Sequence, residues 1–183
     1  MRSRQFSSEL LEKYIDGESL RHHSKMVAQA MEAYALSLQK DPKEVEEWWA
    51  AGLLHDLDWE KFPDEHPNKA INEILPEFEY PQAVLEAIKA HAPERTGKQP
   101  ESEIERYLFA CDELSGFMHA VSLMRPTSFD GMKVKSVTKK LKTLNFAANV
   151  PREDITKGAK LIGKELNEHI QFLIQIFSKA NSN

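Results

Sequence analysis

The chain has 183 residues, a length that fits one domain with a core large enough to need no covalent staples. Its 29% charged and 41% hydrophobic residues describe an ordinary globular balance, and the net charge of −5 argues against broad binding to a nucleic-acid polymer. No apolar run reaches the ~18 residues of a membrane span, the polar stretch Met1 to Leu10 has no signal-peptide core, and the lone Cys111 fits a reducing, cytoplasmic setting without disulfides.

Almost every segment repeats at a helical period. Ser7 or Ser8 is expected to cap a short helix carrying Leu10, Leu11, Tyr14 and Ile15, stopped by Asp16-Gly17. A second helix is expected from about Ser19, with Leu20, His23, Val27, Ala30, Tyr34 and Leu38 on its inner face. Asp41-Pro42-Lys43-Glu44 has the residues of a capping box with proline at the first helical position. The helix it opens carries Val45, Trp48, Trp49, Gly52 and Leu53 and delivers His55-Asp56 near its end. Gly52 costs helix stability, and close approach of another helix is one reason to keep it.

Leu57 to His66 reads as an acidic loop. Pro67 should start a helix with Ala70, Ile71, Ile74 and Leu75 inside, and Pro81 another with Val84, Leu85, Ile88 and His91 in phase. Ala92 to Pro100 reads as a polar loop. One long helix is expected from Glu101 to about Met124, with Ile104, Leu108, Cys111, Asp112, Ser115 and His119 near one face. A loop from Arg125 to Gly131 leads to a lysine-rich helix carrying Val134, Val137, Leu141 and Leu144. Two further helices close the chain, one with Ile155, Ala159 and Ile162, the other with Leu166, Ile170, Leu173, Ile174 and Phe177. Asn181-Ser182-Asn183 reads as a loose tail. The expected fold is all-α, a single-domain helical bundle.

A single inward histidine is ordinarily a hydrogen-bonded core residue. Here His23, His55, His66 and His91 all fall at helix ends or on inward faces, together with Asp56 and Asp112. A carboxylate buried between Cys111 and Leu114 needs a partner, which a metal ion, a buried arginine or a helix end can supply. Imidazole and carboxylate donors without thiolate suit Mn, Fe, Co, Ni or Zn. Ligands spread over several helices are typical of catalytic sites in bundles, whereas structural zinc uses short local pairs. His22, about 100° round the helix from His23, should face solvent. His119 reads as a polar core residue rather than a support behind the ligands. Asp58, Glu60, Lys61, Asp64 and Glu65 lie on a loop well placed for a carboxylate behind the ligands or a general acid, with a solvated acidic loop as the default.

The order His23, His55-Asp56, Asp112 resembles the H…HD…D pattern of the HD-domain superfamily. The local contexts are RHHSKMVAQAMEAYA, WWAAGLLHDLDWEKF and ERYLFACDELSGFMHAV. His66 in EHPNKAINEIL and His91 in LEAIKAHAP resemble the two additional histidines of members with two-metal sites. Leu57-Asp58 replaces the Ile-Gly that follows the dyad in the HDIG subgroup. The resemblance covers about residues 20–146 of one HD-type domain spanning 1–183, with C-terminal helices over 152–180, and the chain looks like small uncharacterised bacterial and archaeal members.

The resemblance implies that His23, His55, Asp56 and Asp112 hold one divalent transition metal. His66 and His91 would complete the shell of a second, with Asp56 as the central catalytic ligand. It implies a metal-dependent phosphohydrolase acting on a small phosphate ester such as a nucleotide, through a metal-activated water. Arg125, Lys133 and Lys140 are candidate phosphate contacts; they flank or precede the apolar stripe of the lysine-rich helix. The alternatives are a di-iron oxygenase with the same ligand order and a non-enzymatic ligand-sensing module. Neither a membrane nor a nucleic-acid polymer is expected as partner, and the oligomeric state is not legible.

Overall fold

The computed structural model describes residues 2–180 of the chain. The tail read at Asn181-Ser182-Asn183 lies outside them. The fold is all-α, and no helix among the described residues is long and apolar enough to cross a membrane. The chain divides after Phe109 into two compact units.

The first unit holds α1 (Arg4–Tyr14), α2 (Glu18–Ser37), α3 (Pro42–Leu54), α4 (Gln82–His91), the single turn α5 (Pro93–Thr96) and the start of α6 (Glu103–Leu123). Helix α3 is its hub, packing on α1, α2 and α4. The expected capping box is present: the Asp41 carboxylate accepts from the Glu44 amide at 2.9 Å, and Glu44 accepts from the Asp41 amide. Gly52 explains the tight α2–α3 contact. A Cβ there would stand 2.8 Å from Ala28 Cα and 2.9 Å from the Val27 carbonyl carbon, closer than real side chains come. Leu11, Ile15, Val27, Met31, Leu54 and Ile88 are buried in this core. Tyr34 and Trp48 meet Tyr107 at ring-centroid distances of 4.8 and 5.1 Å.

Several local expectations are corrected. Ser3, not Ser7 or Ser8, caps α1, accepting from the Phe6 amide at 3.2 Å. Ser7 lies buried one turn inside, its hydroxyl 2.7 Å from the Tyr80 hydroxyl. The helix expected after Pro67 keeps its buried Ala70, Ile71, Ile74 and Leu75 but not its α geometry. It is a π-turn over Ala70–Ile74 followed by a 3-10 turn over Leu75–Phe78. Pro76 has no amide proton to extend an α ladder, and the Ala70 amide is already taken by the Asp58 carboxylate at 2.8 Å. The polar loop after His91 contains α5, closed by Gly97 at φ 74°.

The second unit holds the rest of α6, α7 (Val134–Leu141), α8 (Arg152–Leu161) and α9 (Leu166–Ala180). Helix α9 packs on α7 and α8. The lysine-rich helix ends at Leu141, and Leu144, expected on its apolar stripe, is 79% exposed in the turn that follows. The Arg152 guanidinium shapes that turn by donating to the carbonyls of Phe146, Ala147 and Val150 while lying over the Phe117 ring. Ala110 is gripped from two sides. A Cβ on Gly158 would fall 2.7 Å from Ala110 Cα, and His169 Nε2 donates to the Ala110 carbonyl at 2.9 Å.

His169, a residue the periodicity did not single out, is fully buried, and burial lowers its pKa to about 4. The unfolded chain therefore takes the proton first. The stabilisation from neutral His169 is complete above about pH 6.5 and is lost as pH falls from 6.5 towards 4. Between pH 7 and 4.5 wild type should lose about 2 kcal/mol more unfolding free energy than His169→Gln, read from urea curves. Gly52→Ala should destabilise by about 1–3 kcal/mol at any pH, because α2 and α3 must separate to admit the methyl group.

Candidate metal centre

Two helix ends in the first unit solve the same local problem in the same way. The last carbonyls of a helix lack intrahelical partners. At the end of α3 the Gly52 carbonyl accepts from His55 Nδ1 at 2.8 Å, and at the end of α4 the Ile88 carbonyl accepts from His91 Nδ1. A carbonyl can only accept, so both Nδ1 atoms carry hydrogen and both Nε2 atoms of the neutral rings present lone pairs. The third histidine is fixed by a side chain. His66 Nδ1 donates to the Asp58 carboxylate at 2.7 Å, and the other oxygen of Asp58 holds the Ala70 amide.

The Nε2 atoms then meet. His66 and His91 bring theirs to 3.2 Å, as do His23 and His55. In the His66–His91 pair, where both Nδ1 atoms are committed, two lone pairs at that separation repel unless a proton or a cation lies between them; in the other pair His23 Nε2 can itself donate to His55 Nε2. Asp56 stands against both pairs. One of its oxygens is 3.2 Å from His55 Nε2 and 3.8 Å from His23 Nε2; the other is 3.5 Å from His66 Nε2 and 3.8 Å from His91 Nε2. Burial by itself would raise the Asp56 carboxyl; positive charge on His55 and His23 with hydrogen bonds from His55 and His91 outweighs it and holds it well below the usual carboxylate range, so without a metal ion these rings themselves carry the positive charge of the cluster. His55, His66 and His91 are buried, and His23 and Asp56 are mostly so. Asp56, His66 and His91 offer ligand atoms all within 4.8 Å of one another. A desolvated, thiolate-free cluster of imidazoles and an ionised carboxylate, with Nδ1 atoms tied back into the fold, has the donor chemistry of a transition-metal centre.

Asp112 lies on α6 and belongs to the second unit, as do Arg125, Lys133 and Lys140. Arg125 donates to the carbonyls of Ser128 and Asp130 at 2.8 Å, so its guanidinium folds its own turn. Lys133 is exposed beside the start of α7, and Lys140 Nζ lies 4.9 Å from the Phe146 ring centroid. His22 is exposed and His119 half-buried.

Asp58 departs from the solvated default for Leu57 to His66 and takes the other role open to that loop, a carboxylate behind a candidate ligand. It is fully buried and is the only link between His66 Nδ1 and the following turn among the described hydrogen bonds. Its flanking Leu57 and Trp59 were the sequence signal. Glu60 of the same loop accepts from the Asp16 and Gly17 amides, joining the loop to the start of α2.

A family model described as HD domain matches residues 20–116. No curated protein and no solved structure matches the chain.

Asp58→Ala leaves the His66 Nδ1–H and the Ala70 amide buried without acceptors, at about 1–3 kcal/mol each. Urea unfolding of chelator-treated protein should show a loss of about 3 kcal/mol, and Mn²⁺ affinity by calorimetry should fall about 10–100-fold. Unchanged stability and affinity would show that Asp58 does not hold His66.

Proposed function

The chain belongs to the HD-domain family, and from that premise we propose that it is a metal-dependent phosphohydrolase acting on a small phosphate ester, with a nucleotide as the favoured substrate. The observation that carries the reading is the convergence of two Nε2 pairs on the two oxygens of Asp56. The proposal takes residues 1–183 as one functional HD-type domain in the cytoplasm, and the buried, unpaired Cys111 fits a reducing compartment.

In this reading His23, His55, Asp56 and Asp112 hold one divalent cation, Asp112 entering by its place in the family's ligand order. His66 and His91, with Asp56 shared, hold a second. A divalent cation bound there lowers the pKa of water and draws charge from a phosphoryl oxygen. The chain's own residues set the stage for this. Asp56 sits between both imidazole pairs and is ionised, so it keeps the cluster electrically balanced. The helix-end carbonyls and Asp58 fix the rings so that little reorganisation accompanies binding. Arg125, Lys133 and Lys140 are the candidate groups to offset charge on the phosphate; Arg125 already donates to carbonyls of its own turn.

The sharing of Asp56 by two histidine pairs also fits a di-iron oxygenase, and metal dependence separates the two readings. Phosphate release from a nucleotide under anaerobic conditions with redox-inert Zn²⁺ or Mg²⁺ supports hydrolysis. Oxygen consumption confined to the iron-loaded protein, with no phosphate release under any metal, contradicts it.

Asp56→Ala should abolish phosphate release in a screen of nucleotides and sugar phosphates while circular dichroism keeps the helical signal, and full activity in that variant would end the proposal. Lys140→Ala should raise KM about tenfold, the loss of one charged hydrogen bond of about 1.5–3 kcal/mol.

A further inference from the structure

Trp59 stands out among the residues around the cluster. The turn that carries Asp56 continues directly into it, with the Trp59 amide donating to the Asp56 carbonyl at 3.0 Å. Its ring meets the His66 ring edge-to-face, centroids 5.0 Å apart at 90°. Yet the residue is 41% exposed, while Trp48 of α3 is 3% exposed. A large indole left partly in water beside a cluster of buried imidazoles is an informative departure from ordinary burial.

Arg95 of α5 completes the arrangement. Its guanidinium carbon lies 4.9 Å from the Trp59 ring centroid. One terminal nitrogen, Nη1, donates to the Pro63 carbonyl at 2.7 Å and reaches the His66 carbonyl at 3.4 Å. These bonds hold Arg95 against the loop that bears Trp59 and His66. The residue is exposed, and its Nε and Nη2 have no partner among the described hydrogen bonds. The same unit that holds the histidine cluster thus presents, next to His66, a part-exposed indole with a tethered cation, bearing spare donors, over its ring.

We propose that Trp59 and Arg95 form the specificity wall of this site, which selects phosphate esters carrying a planar aromatic ring over those carrying only an alkyl or sugar group. This rests on the phosphohydrolase reading of the cluster. Trp59 supplies the stacking surface, and the cation–π contact with Arg95 keeps the indole from turning away. Arg95 offers its remaining donors to a substrate oxygen; a guanidinium held at Nη1 loses little side-chain freedom when it does so. The cations of the lysine-rich helix are not needed for this discrimination, because the ring is recognised by the indole and not by charge.

The test compares adenosine 5′-monophosphate with glycerol 1-phosphate on the metal-loaded full chain. Stacking is worth about 1–3 kcal/mol per base, so Trp59→Ala should lower the KM preference for the nucleotide about tenfold, and Trp59→Phe should restore most of it. Arg95→Gln should weaken both substrates and, by releasing the indole, also lower the nucleotide preference, with Arg95→Lys recovering part of both losses. Binding is read independently of turnover, by quenching of indole fluorescence on addition of each phosphate. The nucleotide should quench wild type, and Trp59→Phe should lose the quench while keeping nucleotide affinity by calorimetry. An unchanged KM ratio in a folded Trp59→Ala protein that hydrolyses both substrates overturns the wall and leaves the phosphohydrolase reading standing. Absence of phosphate release from every ester fails the phosphohydrolase reading instead. In that case the binding arm decides: ring-selective binding lost in Trp59→Ala supports the wall, and equal or absent binding overturns it.

Discussion

Everything in the site depends on where three imidazoles place their hydrogens. His55 and His91 each give the Nδ1 proton to a carbonyl three residues back, at a helix end where that carbonyl needs a donor. His66 gives its own to Asp58. Once those protons are committed, the opposite nitrogens of the neutral rings have only lone pairs to offer, and the fold brings those of His66 and His91 to 3.2 Å from each other and that of His55 to 3.2 Å from His23 Nε2. In a low-dielectric setting such a meeting is stable only with positive charge at its centre. A demand for positive charge, a proton or a cation, is therefore built in where the end of α4 and Asp58 fix His91 and His66.

The helix packing that creates the demand is equally specific. Gly52 lets α3 approach the backbone of α2 at Val27 and Ala28, one turn along from His23 on α2 and one turn before His55 on α3. The His23–His55 meeting follows from that contact. A capping box fixes where α3 begins, and the family's dyad falls where it ends. On the other side the loop after Asp56 does not wander. Asp58 turns inward to anchor His66 and the π-turn, while Glu60 ties back to the start of α2. One short stretch thus places Asp56, orients His66 and braces the helix carrying His23.

Much of this was legible in the sequence, because it rests on local rules. Helical periodicity located α2, α3, α4 and α6, the Asp41-Pro42-Lys43-Glu44 signal located a cap, and Gly52 announced a close helix contact. The histidines and Asp56 were legible as a set, through their order and their inward positions. What escaped was decided by tertiary partners. Asp58 looks like loop acid until His66 and Ala70 are placed beside it. Ser3 outcompetes Ser7 as a cap because the Ser7 hydroxyl has Tyr80, 73 residues away, as partner. Leu144 keeps the spacing of an apolar stripe, but the helix ends before reaching it. His169 gave no sequence signal, since its carbonyl partner lies 59 residues earlier.

The most direct test of the account is the hydrogen placement on the rings. Long-range proton–nitrogen correlation spectra of uniformly ¹⁵N-labelled protein report the tautomer of each histidine. At neutral pH, with and without diamagnetic Zn²⁺, His55, His66 and His91 should carry hydrogen on Nδ1, and adding Zn²⁺ should shift their Nε2 resonances and leave Nδ1 protonated. Hydrogen on Nε2 of these rings in the zinc-treated protein, or Nε2 resonances that ignore the ion, would contradict the claim that the fold converges lone pairs for a metal.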